Sequence, residues 1–294
     1  MGFLDIMKML LIAVAESLTE WIPVSNTGHI AVIGHYLGFT DWKSSAAFRE
    51  LYVAAATTGT ILAACALFLP NNGLFIRTPD NRRILAGERM RFYVAILFGW
   101  LPCLFVTLAY GQSVTDFSYS PNSLKNLKLI IVLMILGGIL QCLFELRDRI
   151  LQFLFRSKYV SFTVRYERLE EIPAAIILLM SLTQMISVLP GTCRFGLSIM
   201  IAVLLGVQKR TAITLSVFVN MPAVFVFGIV PILRHLGSIG GILASEMMMA
   251  GILSVRVSFF MLRIIATWLT KKSFTRFGRY RIAFGVVLYL FTIL

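Results

Sequence analysis

Acidic residues are scarce in this chain, with 14 Asp and Glu in 294 positions, and residues of either charge make up only 14%. Against 58% apolar residues and a mean hydropathy of +0.84, that shortage excludes a water-soluble globular domain and points to an integral membrane protein. The length allows several membrane spans but no large soluble domain beside them. Cysteine is equally sparse. Cys65, Cys103, Cys142 and Cys193 lie far apart and mostly inside apolar runs, so neither a disulfide framework nor a zinc spacing exists, and the first three read as packing residues. There are three histidines; His35 and His235 fall near predicted membrane ends and read as structural, which leaves His29.

The net charge of +13 invites a nucleic-acid reading, yet the basic residues sit in short loops between apolar runs. That is the pattern of cytoplasmic loop anchoring, and no nucleic acid is expected as a partner. Full-length apolar spans are expected over 51–69, 92–110 and 127–143, then over 211–233, 239–269 and 282–294, the last starting nearer 277. The loops 71–91 and 147–168 each hold five arginines, and 271–281 is similarly basic, whereas 111–126 has only Lys125. The three basic loops are therefore expected inside and the poor one outside.

Two further apolar segments are broken by polar residues and prolines. Residues 6–15 are too short for a span across about 30 Å of hydrocarbon. They end in Ala13-Val14-Ala15, similar to a signal-peptidase site, but Asp5 opposite a lone Lys8 is a weak positive region, so the segment is expected to be retained. The charge pattern makes 3–38 a re-entrant hairpin dipping in from outside and 172–207 one dipping in from inside. The expected fold is thus all-α and polytopic, one integral membrane domain with six transmembrane helices and two re-entrant helical hairpins. Its halves, 1–160 and 161–294, form an inverted-topology repeat whose sites meet near the midplane.

Those hairpins carry the polar chemistry. In Ala15-Glu16-Ser17-Leu18-Thr19-Glu20-Trp21-Ile22-Pro23-Val24-Ser25-Asn26-Thr27-Gly28-His29, the two glutamates lie one helical turn apart on one face. Pro23 ends that helix, and Ser25 to His29 read as a polar turn. Ionisable groups are costly in a membrane, so the default reading is a functional site. Ser181-Leu182-Thr183-Gln184 echoes Ser17-Leu18-Thr19-Glu20, and Pro190-Gly191-Thr192-Cys193-Arg194-Phe195-Gly196 follows it with an arginine between glycines. Taken singly, the Glu pair also reads as a hydrogen-bonding device or a proton relay, His29 reads more readily as a turn residue, and Arg194 as a cation that snorkels or pairs with a carboxylate, although its glycine-bounded loop argues otherwise. Together they offer two carboxylates and a histidine from one half, and a cation from the other.

The first stretch resembles the leading motif of the undecaprenyl-diphosphate phosphatase (bacitracin-resistance) family, E-G-x-T-E-F-x-P-V-S-S-T-G-H, and Pro190 to Gly196 resembles its second, P-G-x-S-R-S-G. The resemblance covers the whole chain in length, hydropathy and motif order. It implies removal of the terminal phosphate from undecaprenyl diphosphate, which recycles the lipid carrier of cell-wall synthesis in the bacterial inner membrane, with the site facing the external side. It also implies active-site roles for Glu16, Glu20, His29 and Arg194. Arg194 suits the equatorial oxygens of a transferring phosphoryl group. Ser25, Asn26, Thr27, Gly191, Thr192, Gly196 and Ser198 are expected to bind phosphate, the glycines by letting backbone amides approach it. His29 is expected as general base or nucleophile. Glu16 and Glu20 either share a proton or hold a divalent cation, Mg or Ca, the cation being preferred. The polyprenyl diphosphate and the bilayer are the expected partners, and a homodimer is compatible with the sequence.

Several positions depart from the family pattern, among them Ser198 where a threonine is expected. Asn26 replaces a serine, Cys193 and Phe195 replace the serines flanking Arg194, and Thr57 stands where a glutamine is expected. Asparagine can donate to a phosphate oxygen but cannot be a nucleophile. A second reading therefore stays open, a transporter or flippase for a phosphorylated polyprenyl lipid without hydrolysis, since inverted repeats with discontinuous helices also build transporters.

Overall fold

The computed structural model describes residues 3–38, 46–72, 75–77, 83–85, 124–155, 164–186, 189–238 and 240–293, with 90, 93–98, 100, 101, 104, 105 and 109. Cys103, residues 111–123 of the outside loop expected over 111–126 and parts of the span expected over 92–110 lie outside the described residues.

Apolar sequence in lipid must satisfy its own backbone, and helices are its open-ended solution. Two short helices come first, α1 (Phe3–Thr19) and α2 (Asn26–Tyr36), followed by the long α3 (Ala46–Asn72) and α4 (Leu124–Phe155). The order of short, short, long then recurs in α5 (Ala174–Ile186), α6 (Arg194–Leu204) and α7 (Lys209–Arg234), with α8 (Gly241–Lys271) and α9 (Phe274–Ile293) closing the chain. Four stretches are long and apolar enough to cross a membrane: Phe48–Leu69, Leu127–Arg147, Lys209–Arg234 and Ala244–Lys271. At 1.5 Å per residue the 13 residues of α5 reach about 20 Å and the 11 of α2 or α6 about 17 Å, short of a bilayer core. The helix bounds agree with the expected apolar runs to within about five residues in α3, α7 and α8, whereas α4 continues to Phe155, twelve residues beyond 143, so 147–155 is helical where a basic loop was expected.

Two further details differ from expectation. The loop after α3 contains a two-stranded antiparallel pair, β1 (Phe75–Arg77) with β2 (Arg83–Leu85), where no strand was expected. The basic segment 271–281 is not a loop: α8 ends at Lys271 and α9 begins at Phe274, so Arg276, Arg279 and Arg281 are helical and Arg281 is buried.

α3 lies along α7 and α8, and α4 along α9. Close helix contact in a membrane relies on small residues, because lipid supplies no hydrophobic drive between helices. A Cβ on Gly138 of α4 would lie 2.7 Å from the Gly278 carbonyl oxygen of α9, and one on Gly278 would lie 2.6 Å from that of Gly138. The two backbones touch there. The largest core cluster joins Trp21 and Val24, from the turn after α1, to Ile176, Phe195, Ile199 and Phe218 of the second half. That burial fixes the first turn against the second.

Candidate functional site

α1 closes with hydroxyls bonding back along the helix, Ser17 Oγ to the Ala13 carbonyl (2.6 Å) and Thr19 Oγ1 to that of Ala15 (2.7 Å). The chain then leaves the helix through Trp21, Ile22 and Pro23, whose carbonyl accepts from Gln141 Nε2 of α4 at 2.7 Å. Ser25 is the N-cap of α2, its Oγ accepting from the Gly28 amide at 3.2 Å. The polar segment expected as a turn is therefore mostly the first helical turn of α2.

The second turn is built the same way. Cys193 caps α6, its Sγ accepting from the Gly196 amide at 3.2 Å, in the role Ser25 plays for α2. A Cβ on Gly28 would meet Met134 Sδ at 2.7 Å, and one on Gly196 would meet Gln141 Nε2 at 2.9 Å. Met134 and Gln141 are seven residues apart, two turns along one face of α4. That helix seats both N-termini side by side. Gly191, with φ +99°, turns the chain ahead of Cys193, and its amide donates to Thr27 Oγ1 at 3.4 Å.

Here the halves meet. Arg194 Nη2 lies 3.2 and 3.3 Å from the two carboxylate oxygens of Glu20, across 174 positions of sequence. Asn26 bridges on the other side, its Nδ2 donating to Glu20 Oε2 and its Oδ1 accepting from Thr19 Oγ1 at 2.9 Å. Glu16 is held separately, accepting from Thr57 Oγ1 of α3 at 2.6 Å. Both carboxylates are buried, and an ion pair so placed is compensated where a lone charge would be prohibitive. The Arg194 guanidinium carbon also stands 4.9 Å from the Phe227 ring centroid. The cleft between the turns, lined by Thr19, Glu20, Asn26, Thr27, Thr192 and Arg194 with Val24, Cys193 and Phe195, is about 10 Å3. That is the limit for a single water and far too small for a phosphate group.

The other expected residues stand apart from the cleft. His29 is one turn further along α2 and faces α9. Its Nδ1 is 2.5 Å from the Ser25 carbonyl, which can only accept, so Nδ1 carries a proton and donates there, while Nε2 lies 2.9 Å from the Tyr280 hydroxyl Oη. The ring is also stacked parallel to Phe284, 5.0 Å away. Ser198 turns back along α6, donating to the Arg194 carbonyl at 3.0 Å and accepting from Asn220 Nδ2 of α7 at 3.2 Å. Among the described residues no group of three His, Cys, Asp or Glu stands together as a metal site.

Single-sequence reading missed Tyr280, Arg281, Gln141 and Asn220. Tyr280 and Arg281 are consecutive on α9 and reach the two motifs, Tyr280 at His29 and Arg281 Nη2 at the Gly191 carbonyl (2.8 Å). The available signal was Arg281 itself, a cation directly before an apolar run. The departures from the family pattern also find roles: Thr57 and Asn26 hold the two glutamates, Cys193 caps α6, and Phe195 packs edge-on against Trp21 with centroids 6.1 Å apart.

Apolar helices of membrane-spanning length, with two broken-helix turns meeting at a charged cleft, define a polytopic helical protein with an embedded polar site. The chain belongs to the bacitracin resistance protein BacA family, whose model matches residues 9–287. It is 24% identical over 292 residues to the undecaprenyl-diphosphatase of Streptococcus mutans serotype c, covering 98% of this chain and 96% of the relative. It is 25% identical over 290 residues to that of Lactiplantibacillus plantarum, covering 97% and 96%. It is also 24% identical over 294 residues to that of Streptococcus gordonii, covering 99% and 97%.

Proposed function

We propose that this protein hydrolyses undecaprenyl diphosphate to undecaprenyl phosphate and inorganic phosphate in the bacterial inner membrane. The observation that carries the reading is the Arg194–Glu20 contact, which unites the two motifs at one cleft in a chain whose family relatives bear the name undecaprenyl-diphosphatase. The terminal phosphate displaces Glu20 from Arg194 and takes the guanidinium for its equatorial oxygens. Asn26 Nδ2 and the amides at the α6 N-terminus add donors where charge develops. Glu20, freed, takes a proton from a water as the water oxygen attacks the terminal phosphorus. The bond from that phosphorus to the bridging oxygen breaks, and undecaprenyl phosphate departs as the anion. Thr27, Thr192, Gly191 and Gly196 shape the phosphate cradle, and Ser25 and Ser198 hold the helix ends that carry it. His29, its ring nitrogens engaged by the Ser25 carbonyl and the Tyr280 hydroxyl outside the cleft, locks the first turn of α2 that carries Asn26 and Thr27.

Glu16 and Glu20 together with substrate oxygens make a donor set of the kind Mg or Ca accepts, one or two carboxylates plus phosphate. Such a cation would offset the charge of the diphosphate. The topology that suits this chemistry is six spans and two re-entrant hairpins, α1–α2 and α5–α6, in halves of opposite orientation, 1–160 and 161–294, with the site open to the external side and a homodimer permitted. The repeated short, short, long order and the matching caps at Ser25 and Cys193 support it. Cysteine accessibility at Gln112 and Ser157 tests that orientation, with labelling expected on opposite faces. For the function, proteoliposomes loaded with undecaprenyl diphosphate are expected to release inorganic phosphate. Transbilayer movement of the intact lipid without release would overturn the reading.

A further inference from the structure

A second cavity, of about 400 Å3, lies between α4, α5, α6 and α9. Leu136, Leu140, Leu197 and Met200 give it apolar walls, and Thr192 and Cys193 line both it and the cleft. Leu136 and Leu140 are about half exposed, at 54% and 48%, so the cavity opens on the outer surface of the helices, where lipid lies. One feature of the wall is out of keeping with an apolar void. Arg281 is 1% exposed there, and its Nε, like Oε1 of the neighbouring Gln141, has no hydrogen-bond partner among the described residues. Buried polar atoms without partners are costly, and a buried cation whose Nη2 meets only the neutral carbonyls of Gly191 and Leu133 calls for an anion.

We propose that this cavity takes the phosphate-proximal isoprene units of the polyprenyl chain, with Arg281 holding the phosphate that stays on the lipid. The inference rests on the hydrolase reading above for the identity of the chain. Thr192 and Cys193 form a wall common to both spaces, so head and tail sites are adjacent and one amphiphile spans them once the cleft opens, its terminal phosphate at Arg194 and its tail against α4 and α6. An engineered cavity of about 150 Å3 accommodates a six-carbon ring, so this one has room for roughly fifteen carbons, about three isoprene units. The remaining units extend past Leu136 and Leu140 into the bilayer. Affinity is then expected to rise steeply with chain length up to farnesyl and little beyond.

The test uses farnesyl phosphate with a diazirine on its first isoprene unit, irradiated with the full-length protein in detergent. Label is expected on α4 and α6 around Leu140 and Leu197, and excess undecaprenyl phosphate should remove it. Leu140→Trp, which fills the cavity, should lower labelling and raise the KM for farnesyl diphosphate about tenfold. Leu143→Trp, on the lipid-facing side of α4 and 51% exposed, should change neither. Label on other helices, or equal effects of the two tryptophans, overturns the proposal. Cavity labelling in a protein that releases no phosphate upholds the tail site and sinks the hydrolase reading alone.

Discussion

Replacing Arg194 separates what it does for the fold from what it does for phosphate. A single nitrogen, Nη2, makes both contacts to Glu20, at 3.2 and 3.3 Å, and the two side chains are 11% and 3% exposed. Arg194→Ala leaves the Glu20 carboxylate buried without its cation, a loss of about 3–5 kcal/mol. Arg194→Lys still presents one charged nitrogen, so the pair survives at a cost of about 1 kcal/mol, typical of a tolerated substitution. A transferring phosphoryl group, in contrast, needs the planar fork that lysine lacks. Losing one donor at such a site costs about 2.7–4 kcal/mol, a 100- to 1,000-fold drop in kcat. Thermal unfolding in detergent and phosphate release from undecaprenyl diphosphate should therefore diverge: Lys near wild type in melting temperature but strongly impaired in release, Ala impaired in both. Wild-type release by Arg194→Lys, or a loss of release matched by an equal loss of stability, would refute the assignment of phosphate binding to Arg194.

Three other substitutions or treatments follow from the same geometry. Asn26→Asp puts a third carboxylate against Glu20; two like charges about 4 Å apart at an effective dielectric of about 20 repel by roughly 4 kcal/mol, so kcat/KM should fall about 1,000-fold, while Asn26→Ser should remain active. Equal activity of the two would show that Asn26 does not face the reacting phosphate. Gly191→Ala forces a side chain into φ +99° with its Cβ 2.6 Å from the Ile130 carbonyl oxygen, which should cost about 1–3 kcal/mol of stability by denaturant or thermal melting; an unchanged melt contradicts the loop geometry. Chelation with EDTA should stop phosphate release, and added Mg or Ca should restore it; release that is indifferent to EDTA leaves Glu16 and Glu20 without a metal.

The long helices were legible because an uninterrupted apolar run of twenty or so residues leaves little choice of structure. The cleft residues Glu20, Asn26, Thr27, Thr192 and Arg194 were legible for another reason, two motifs whose polar residues have no business in an apolar hairpin. What one sequence cannot display is register between helices far apart in the chain. Nothing around Tyr280 and Arg281 says that α9 will lie along α4 and touch His29 on one side and Gly191 on the other. The basic stretch 271–281 instead argued for a loop, since charge counting does not distinguish an exposed Arg276 from a buried Arg281. Glu16 and Glu20 share a helical face, as their spacing requires, yet Thr57 holds one and Arg194 the other, a partition set by partners from α3 and α6. Phe195 stands where the family pattern has a serine; its burial against Trp21 makes it a packing contact that joins the two motifs.

The most direct test is phosphate release from undecaprenyl diphosphate by the purified wild-type protein beside Glu20→Gln, with the melting temperature of both recorded. The account predicts steady release by the wild type and a loss of about 100- to 10,000-fold in the variant, the range for removing a general base, well beyond any change in its stability. Wild-type protein that binds the lipid but releases no phosphate, or a Glu20→Gln variant that hydrolyses it at the wild-type rate, would contradict it.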